Sequence, residues 1–496
     1  MKELKKAIKK YGGKLNYRSR DIAVILAAGH GKRIKSETPK VVHPVWGVPS
    51  VIRLSRAVSE GLNSDNQIMV VGIKADEVIE LIGKHPHTQF AYQKVQKGTG
   101  HAVQEALSVI KNRSYNGNIY SFPGDAGLLD RETIHTFKKA FISGSYDMMM
   151  LTGTYEGPPE LNYYGRILRV PENDVNGRYS GMDFNRVIAI VQYRDILGMT
   201  SRKPLAVSFN GRKYSFTKKE LLAINEFDSG CFAFKYRQLK KHIFRVKTDN
   251  LQSEIYVTDL VSIFNRAGLK VGAIPAKDSN SLLAFNNKST WKKMESLARA
   301  KYYEVLKDII IIDDEEKFFL AEEVIRDILR MDRRIGPLDI SMGANCHIAK
   351  DVRLNKGTII GENVWISGKV VLGRNVRIGD NVHLSAYPGQ TLRIGSDCEI
   401  LGTNMIKGNT VISDKVRIET GVNITGSDDY PVRIGTGTLI KGTSYIFGTI
   451  IEPGNWIEHS ILVNCRVKKT LKADGKIEKL RYFRPFPEGT GKVKSL

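Results

Sequence analysis

Two glycines one residue apart, Gly29 and Gly31, sit in the segment Leu26-Ala-Ala-Gly-His-Gly-Lys-Arg-Ile34, directly behind a short apolar run. Glycine lets the backbone turn sharply, so successive N–H groups can point at one spot and hold an anion. Arg33 and Lys40 add full positive charges close behind the turn, where a bound anion would need them. The spacing is not that of a P-loop, which needs GxxxxGK[ST], and the third glycine of a dinucleotide fingerprint is missing. A carboxylate, Asp125, ends a second apolar run, Asn118-Ile-Tyr-Ser-Phe-Pro-Gly-Asp125.

Such residues need a frame. Ile22-Ala-Val-Ile-Leu-Ala27 is short, apolar and rich in β-branched residues, the pattern of a strand buried on both faces. Gln67-Ile-Met-Val-Val-Gly72 and the run ending at Asp125 repeat it, separated by helical stretches around Ser50 to Gly61 and Gly100 to Ile110. Strands alternating with helices predict an α/β, Rossmann-like unit with a mostly parallel sheet. Ligands bind such sheets beyond the carboxyl ends of the strands. Gly29 and Asp125 both lie just past a strand end, so one cleft can hold both.

From about Trp291 to Leu329 the apolar spacing turns helical, which predicts a connecting arm. Beyond it an aliphatic residue recurs every six positions: Ile348, Leu354, Ile360, Ile366, Leu372, Ile378 and Leu384, then, after a jump of ten, Ile394 to Ile424, and after another, Ile434, Ile440 and Ile446. One inward side chain per short strand, with small residues at the corners, is what a triangular, left-handed parallel β-helix needs. Each jump of ten is one hexad plus a four-residue loop. The expected division is therefore a basic extension over 1–20, the nucleotide-handling unit over 21–290, a helical arm over 291–335, the β-helix over 336–465 and a basic tail over 466–496.

The chain of 496 residues carries 76 basic and 52 acidic residues, a net charge of +24 concentrated at both ends. Such a field is more simply explained by solubility or a general adaptation of the host proteome than by a partner, though a nucleic acid or another anionic surface would be drawn to it. Cys231, Cys346, Cys398 and Cys465 form no CxxC pair, which argues against a zinc site or a disulfide framework. No apolar run is long enough to span a membrane and no secretory pattern follows the basic start, so the expected location is cytoplasmic.

The glycine segment together with Pro39-Lys-Val-Val-His43 resembles the signature of bacterial N-acetylglucosamine-1-phosphate uridyltransferases, bifunctional enzymes with an acetyltransferase β-helix. The resemblance continues, in order and at similar spacing, through Gln93 to Gln104, Gly124-Asp125, Tyr164-Gly-Arg-Ile167, Glu254-Ile-Tyr-Val-Thr-Asp259 and Phe285-Asn286-Asn287. It implies joining of UTP to a sugar 1-phosphate, with release of pyrophosphate, by a cytoplasmic trimer supplying a cell-envelope precursor. It further implies that Ala28 and Gly29 hold the nucleotide, that Arg33 and Lys40 neutralise the phosphates, and that Gln93, Gln96, Gly98 and Thr99 read the uracil. Asp125 and Asn286 would bind Mg²⁺, an oxygen pair suited to a hard ion that keeps its waters. Gly165, Tyr256 and Thr258 would line the sugar site. No protein nucleophile is needed, because the sugar phosphate itself attacks the α-phosphorus.

Two sugar-site positions depart from the family pattern, Gln192 for glutamate and Asp228 for asparagine. The swap exchanges an acceptor-only group and an amide, so it either compensates or changes the sugar. The β-helix lacks the family's Arg-Pro, His-x-x-Tyr and Asn-Tyr-Asp-Gly motifs between Gly336 and Asn464. The expectation is a structural β-helix, with His383 and Tyr387 the remnant that a rewired acyltransferase would use. Alternatives are a nucleotidyltransferase for another sugar or base, and a sugar-nucleotide-binding scaffold without activity.

Overall fold

The computed structural model describes residues 2–29, 34–200, 203–248 and 253–482. The chain forms two compact units, Met1–Glu295 and Ser296–Leu496.

Nine strands build the main sheet of the first unit: β1 (Asp21–Ala27), β2 (Gln67–Val71), β3 (Thr88–Tyr92), β4 (Asn118–Pro123), β5 (Met148–Thr154), β6 (Arg166–Arg169), β7 (Val187–Val191), β8 (Glu226–Lys235) and β9 (Val271–Pro275). Their order is β9-β5-β8-β4-β1-β2-β3, with β6 joined to β8 and β7. β1 explains why its run is uninterrupted: Ile22 and Val24 enter one core while Ala23 and Ile25 enter the other. β1, β2, β3 and β4 are mutually parallel, and Ala27 pairs with Val71, which pairs with Tyr92, while Leu26 pairs with Pro123. That register brings the residues following four strands to one edge.

The parallel expectation holds for this half. β8, however, runs antiparallel to both β4 and β5, and its register slips between Asp228 and Cys231. The basic extension is not loose. It forms a helix, Lys2–Tyr11, whose Leu4, Ala7, Ile8 and Tyr11 pack against the core while its lysines stay exposed.

In the second unit three parallel sheets of nine, eight and six strands make the faces of a triangular β-helix. Ile359 pairs with Arg377, 18 positions on, whereas Arg377 pairs with Glu399, 22 on. The first ten-residue jump therefore does extrude four residues from a corner. The hexad residues are buried, apart from Leu354. That residue lies at the start of its face, where the first strand of the third sheet is Val370–Leu372 and only an Arg353–Val371 bridge precedes it.

Both ends of the stack extend past the expected limits. The helical arm is interrupted, because Ile311–Ile312 and Phe318–Leu320, between helices Lys288–Leu306 and Glu322–Ile335, already pair with Ser341–Met342 and Cys346–Ile348. At the other end Ile451, Ile457, Leu462 and Val467 continue the interior, and Lys479–Leu480 adds a last strand, so the tail begins later than 466. Glu458 fastens that strand. It accepts from Lys479 at 3.3 Å and Arg481 at 2.7 Å, and these partners hold its carboxyl down at about 2. Among the described residues no helix is long and apolar enough to cross a membrane.

Candidate active site

Behind β1, Ala28 is buried, and a Cβ built on Gly29 meets nothing within 4 Å among the described residues. Gly31 and Arg33 lie outside the described residues. Lys40 opens a short turn after Pro39, and its ammonium sits between two oxygen ligands from distant parts of the chain. It is ion-paired with the Asp125 carboxylate and donates to Asn286 Oδ1 at 2.8 Å. The Phe285 ring lies 5.6 Å beneath it.

The two adjacent asparagines divide their work. Asn287 Oδ1 accepts from the Thr290 N–H at 2.8 Å and so caps the helix Lys288–Leu306, while the Asn286 side chain turns to Lys40. His43 packs on Trp291 (5.1 Å between ring centroids) and edge-on to Phe285, and burial lowers its pKa, as befits a packing residue.

The Gln93–Thr99 loop closes over the next strand end. Gln93 is buried, and its amide donates to Gly98 O at 3.1 Å and meets His101 Nδ1 at 3.1 Å, so its nitrogen supports the loop. Gln96 donates to Ala28 O at 3.1 Å and ties the loop to the glycine turn. Gly98 has φ +99°, and Ile255 O would lie 2.6 Å from any Cβ there. Thr99 Oγ1 accepts from the Val257 N–H at 3.2 Å, joining this loop to the segment that carries Tyr256 and Thr258.

Gly165, Gln192 and Asp228 come together. A Cβ on Gly165 would lie 3.1 Å from Gln192 Nε2 and 3.5 Å from Asp228 Cβ. The register slip in β8 turns Asp228 so that the Gly230 N–H donates to its Oδ1 at 2.9 Å. Burial nevertheless pushes this carboxyl up to about 6. Gln192 and Tyr256 line a cavity of about 800 Å³ shared with Asp195 and Asp259. Burial, with Asp195 adding to it, raises Asp259 to about 6 as well. Thr258 is buried, and its Oγ1 has no hydrogen-bond partner among the described residues.

Sequence reading had given no role to several neighbours. Tyr164 stacks on Phe227 at 4.5 Å, and burial, with the Asp125 charge second, raises its hydroxyl to about 12. Arg166 is fully buried, donating to Tyr164 O and, at 2.8 Å, to Asn162 O. Both belong to the Tyr164-Gly-Arg-Ile167 segment, whose two non-glycine polar residues were the available signal. Asp259 closes the Glu254-Ile-Tyr-Val-Thr-Asp259 motif, which was its signal, whereas Asp195 had none beyond its closeness to Gln192.

The raised Asp228 carboxyl gives a test of its place. It is ionised above about pH 6 and protonated below, so it loses acceptor capacity as the pH falls. If it accepts from the sugar, KM for the sugar 1-phosphate should rise about tenfold between pH 7 and 5. Asp228→Asn should flatten that difference, since titration of the sugar phosphate is common to both proteins. For stability the sign is opposite: a carboxyl raised on folding binds its proton more tightly in the folded chain. Asp228 therefore adds stability as the pH falls from about 6 towards 4.

Residues 23–174, which include the glycine turn, Lys40, Asp125 and Gly165, match the model of the MobA-like NTP transferase domain, and residues 357–387 match the bacterial transferase hexapeptide (six repeats). With the site at the carboxyl edge of its sheet, the first unit is a nucleotidyltransferase domain, carried in one chain with a hexapeptide β-helix. Among curated proteins, the bifunctional protein GlmU of Caldanaerobacter subterraneus subsp. tengcongensis is 30% identical over 390 residues, 78% of this chain and 73% of its own. The GlmU of Thermoanaerobacter pseudethanolicus is 30% identical over 359 residues, 70% of this chain and 69% of its own. The chain belongs to the family of bifunctional GlmU proteins. A solved UDP-glucose pyrophosphorylase complexed with UDP-glucose aligns with 57% of this chain and 100% of its own at 13% identity and a TM-score of 0.39, too distant to carry an argument.

Proposed function

We propose that this enzyme transfers the uridylyl group of UTP to N-acetylglucosamine 1-phosphate, releasing pyrophosphate, and that its β-helix serves assembly rather than acetyl transfer. The observation that carries the first part is the convergence of Asp125 and Asn286 oxygens on the Lys40 ammonium. A cation already sits among oxygen donors there, so the pair suits Mg²⁺, which would take its remaining ligands from phosphates and water. When bound, that ion would supply charge neutralisation at the transferring phosphorus.

The chain's own residues do the rest by position. The backbone at Ala28 and Gly29 receives the phosphates, and Lys40, with Arg33 beyond the described residues, balances the pyrophosphate as it leaves. The Gln93–Thr99 loop closes on the base. Gly165 leaves room for the sugar between Gln192, Asp228 and Tyr256. One carboxylate and one amide flank that glycine, in exchanged positions relative to the family pattern, which supports retention of the same sugar.

The proposed trimer rests on the chemistry of one β-helix face. Its outward column runs in register through Phe319, His347, Trp365, His383, Met405, Asn423 and Tyr445, aromatic or apolar at most positions. Phe319, His347 and Trp365 stack at 4.4 and 3.8 Å. Trp365 is 45% exposed, and Met405 and Tyr445 are exposed too. The neighbouring face instead carries Arg377, Glu399 and Arg417. An apolar, aromatic strip of this length suits packing against a second copy. His383 belongs to this column, and burial, with Lys407, lowers its pKa. Trp365→Glu should shift the protein from trimer to monomer in light scattering, and a trimer that survives would contradict the assignment of this face.

The substrate reading is tested by offering UTP with N-acetylglucosamine, glucosamine, glucose and galactose 1-phosphates. Preference for another sugar would keep the reaction and move the substrate. In parallel, glucosamine 1-phosphate with acetyl-CoA should release no free thiol; rapid release would restore a second active site to the β-helix.

A further inference from the structure

Lys40 belongs to the site that would bind the triphosphate, yet its ammonium is already engaged by protein oxygens. It occupies the space between the two residues suited to the metal. Its nitrogen is ion-paired with Asp125, donates to Asn286 Oδ1 at 2.8 Å and lies over Phe285. The side chain is 13% exposed, so this is a settled contact and not a solvated one. A lysine ammonium and a divalent ion compete for the same oxygens and repel each other at contact distance.

We propose that Lys40 is an internal stand-in for the metal, keeping Asp125 and Asn286 closed to a free divalent ion until a nucleoside triphosphate draws the ammonium away. The inference rests on the assignment of Asp125 and Asn286 as the metal pair. The backbone need not move for the exchange. Lys40 begins a three-residue turn after Pro39, and its four-carbon stem can swing the charge from the carboxylate to a phosphate. The triphosphate offers more negative charge than Asp125 alone, so the nucleotide supplies the differential affinity that shifts the lysine. Metal and nucleotide then bind with positive coupling, and a metal ion alone binds weakly. In its absence the ammonium also keeps Asp125 paired, so the site carries no bare, buried carboxylate.

The test is direct Mn²⁺ binding followed by electron paramagnetic resonance, without nucleotide, on the intact protein. Lys40→Met removes the competitor while keeping an apolar stem over Phe285. It should bind Mn²⁺ at least about tenfold more tightly than the unmodified protein, even as it loses affinity for UTP. Lys40→Arg keeps the charge and should stay closed, with Mn²⁺ affinity no higher than before. Asp125→Ala should abolish the Lys40→Met gain. Equal or weaker Mn²⁺ binding by Lys40→Met, with binding still dependent on Asp125, would overturn the stand-in role and leave the metal pair intact. Mn²⁺ binding that ignores Asp125 in every variant would overturn the metal assignment and the stand-in role together. Circular dichroism of each variant separates these results from a loss of fold.

Discussion

Asp125→Ala will reduce pyrophosphate release by about a hundred- to a thousandfold while leaving the fold in place. The magnitude follows from what is removed. Phosphoryl and nucleotidyl transfer depend almost wholly on positioning and on neutralising spreading charge, and one such electrostatic partner is commonly worth two to three orders of magnitude. Asp125 is the only carboxylate in contact with Lys40 among the described residues. Asn286 alone cannot replace it, because a neutral oxygen attracts a hard ion far less. Asp125 lies in the turn after β4, not within the strand pairing, so its loss should spare the sheet. Asp125→Asn keeps an oxygen and loses the charge, and should fall between the two. Initial rates with saturating UTP and metal, alongside a thermal melt, check both halves of this expectation.

Gly98→Ala should cause the second largest effect, and by a different route. Gly98 combines φ +99° with ψ 176°, a region open essentially to glycine alone. A Cβ there would lie 2.6 Å from Ile255 O, which is itself fixed by the Gly100 N–H at 2.7 Å. Two backbones are thus clamped face to face, and neither is a flexible side chain that can give way. Alanine must push apart the loop that carries Gln93, Gln96 and Thr99 and the segment that carries Tyr256 and Thr258. Strain of this kind costs about 1–3 kcal/mol, before any steric clash. Denaturant melts should show that loss, and KM should rise for both the nucleotide and the sugar phosphate. A rise for one substrate alone would mean that the two segments do not move together.

The first parallel strands and the β-helix were legible because each depends on local pattern. Ile22 to Ala27 shows as a buried strand because both its faces are covered, and a hexad residue announces itself once per strand. The reading stopped at Ile446 because the inward spacing shortens there: Ile451 follows after five positions, and Leu462 and Val467 after five each. β3 was missed because Thr88 and Gln89 dilute its apolar signal at the edge of the sheet. The strands Ile311–Ile312 and Phe318–Leu320 were hidden between two helices whose 3.6 period dominates the window.

The site itself was legible only through motifs in series. Nothing local says that Lys40 meets Asn286, 246 positions away, or that Gln192 and Asp228 flank one glycine. Such contacts depend on the antiparallel course of β8 and on its register slip, which are properties of the assembled sheet. The exchange of carboxylate and amide at those two positions could be seen in the sequence. That both lie against Gly165 could not.

One measurement bears most directly on the central claim: pyrophosphate release from UTP and N-acetylglucosamine 1-phosphate with Mg²⁺, with the nucleotide product identified by mass. The account predicts steady release, a product of the mass of UDP-N-acetylglucosamine, and loss of both when the metal is chelated. No release with that pair, or with any other sugar 1-phosphate and nucleoside triphosphate, would contradict it and leave the oxygen pair around Lys40 without a reaction to serve.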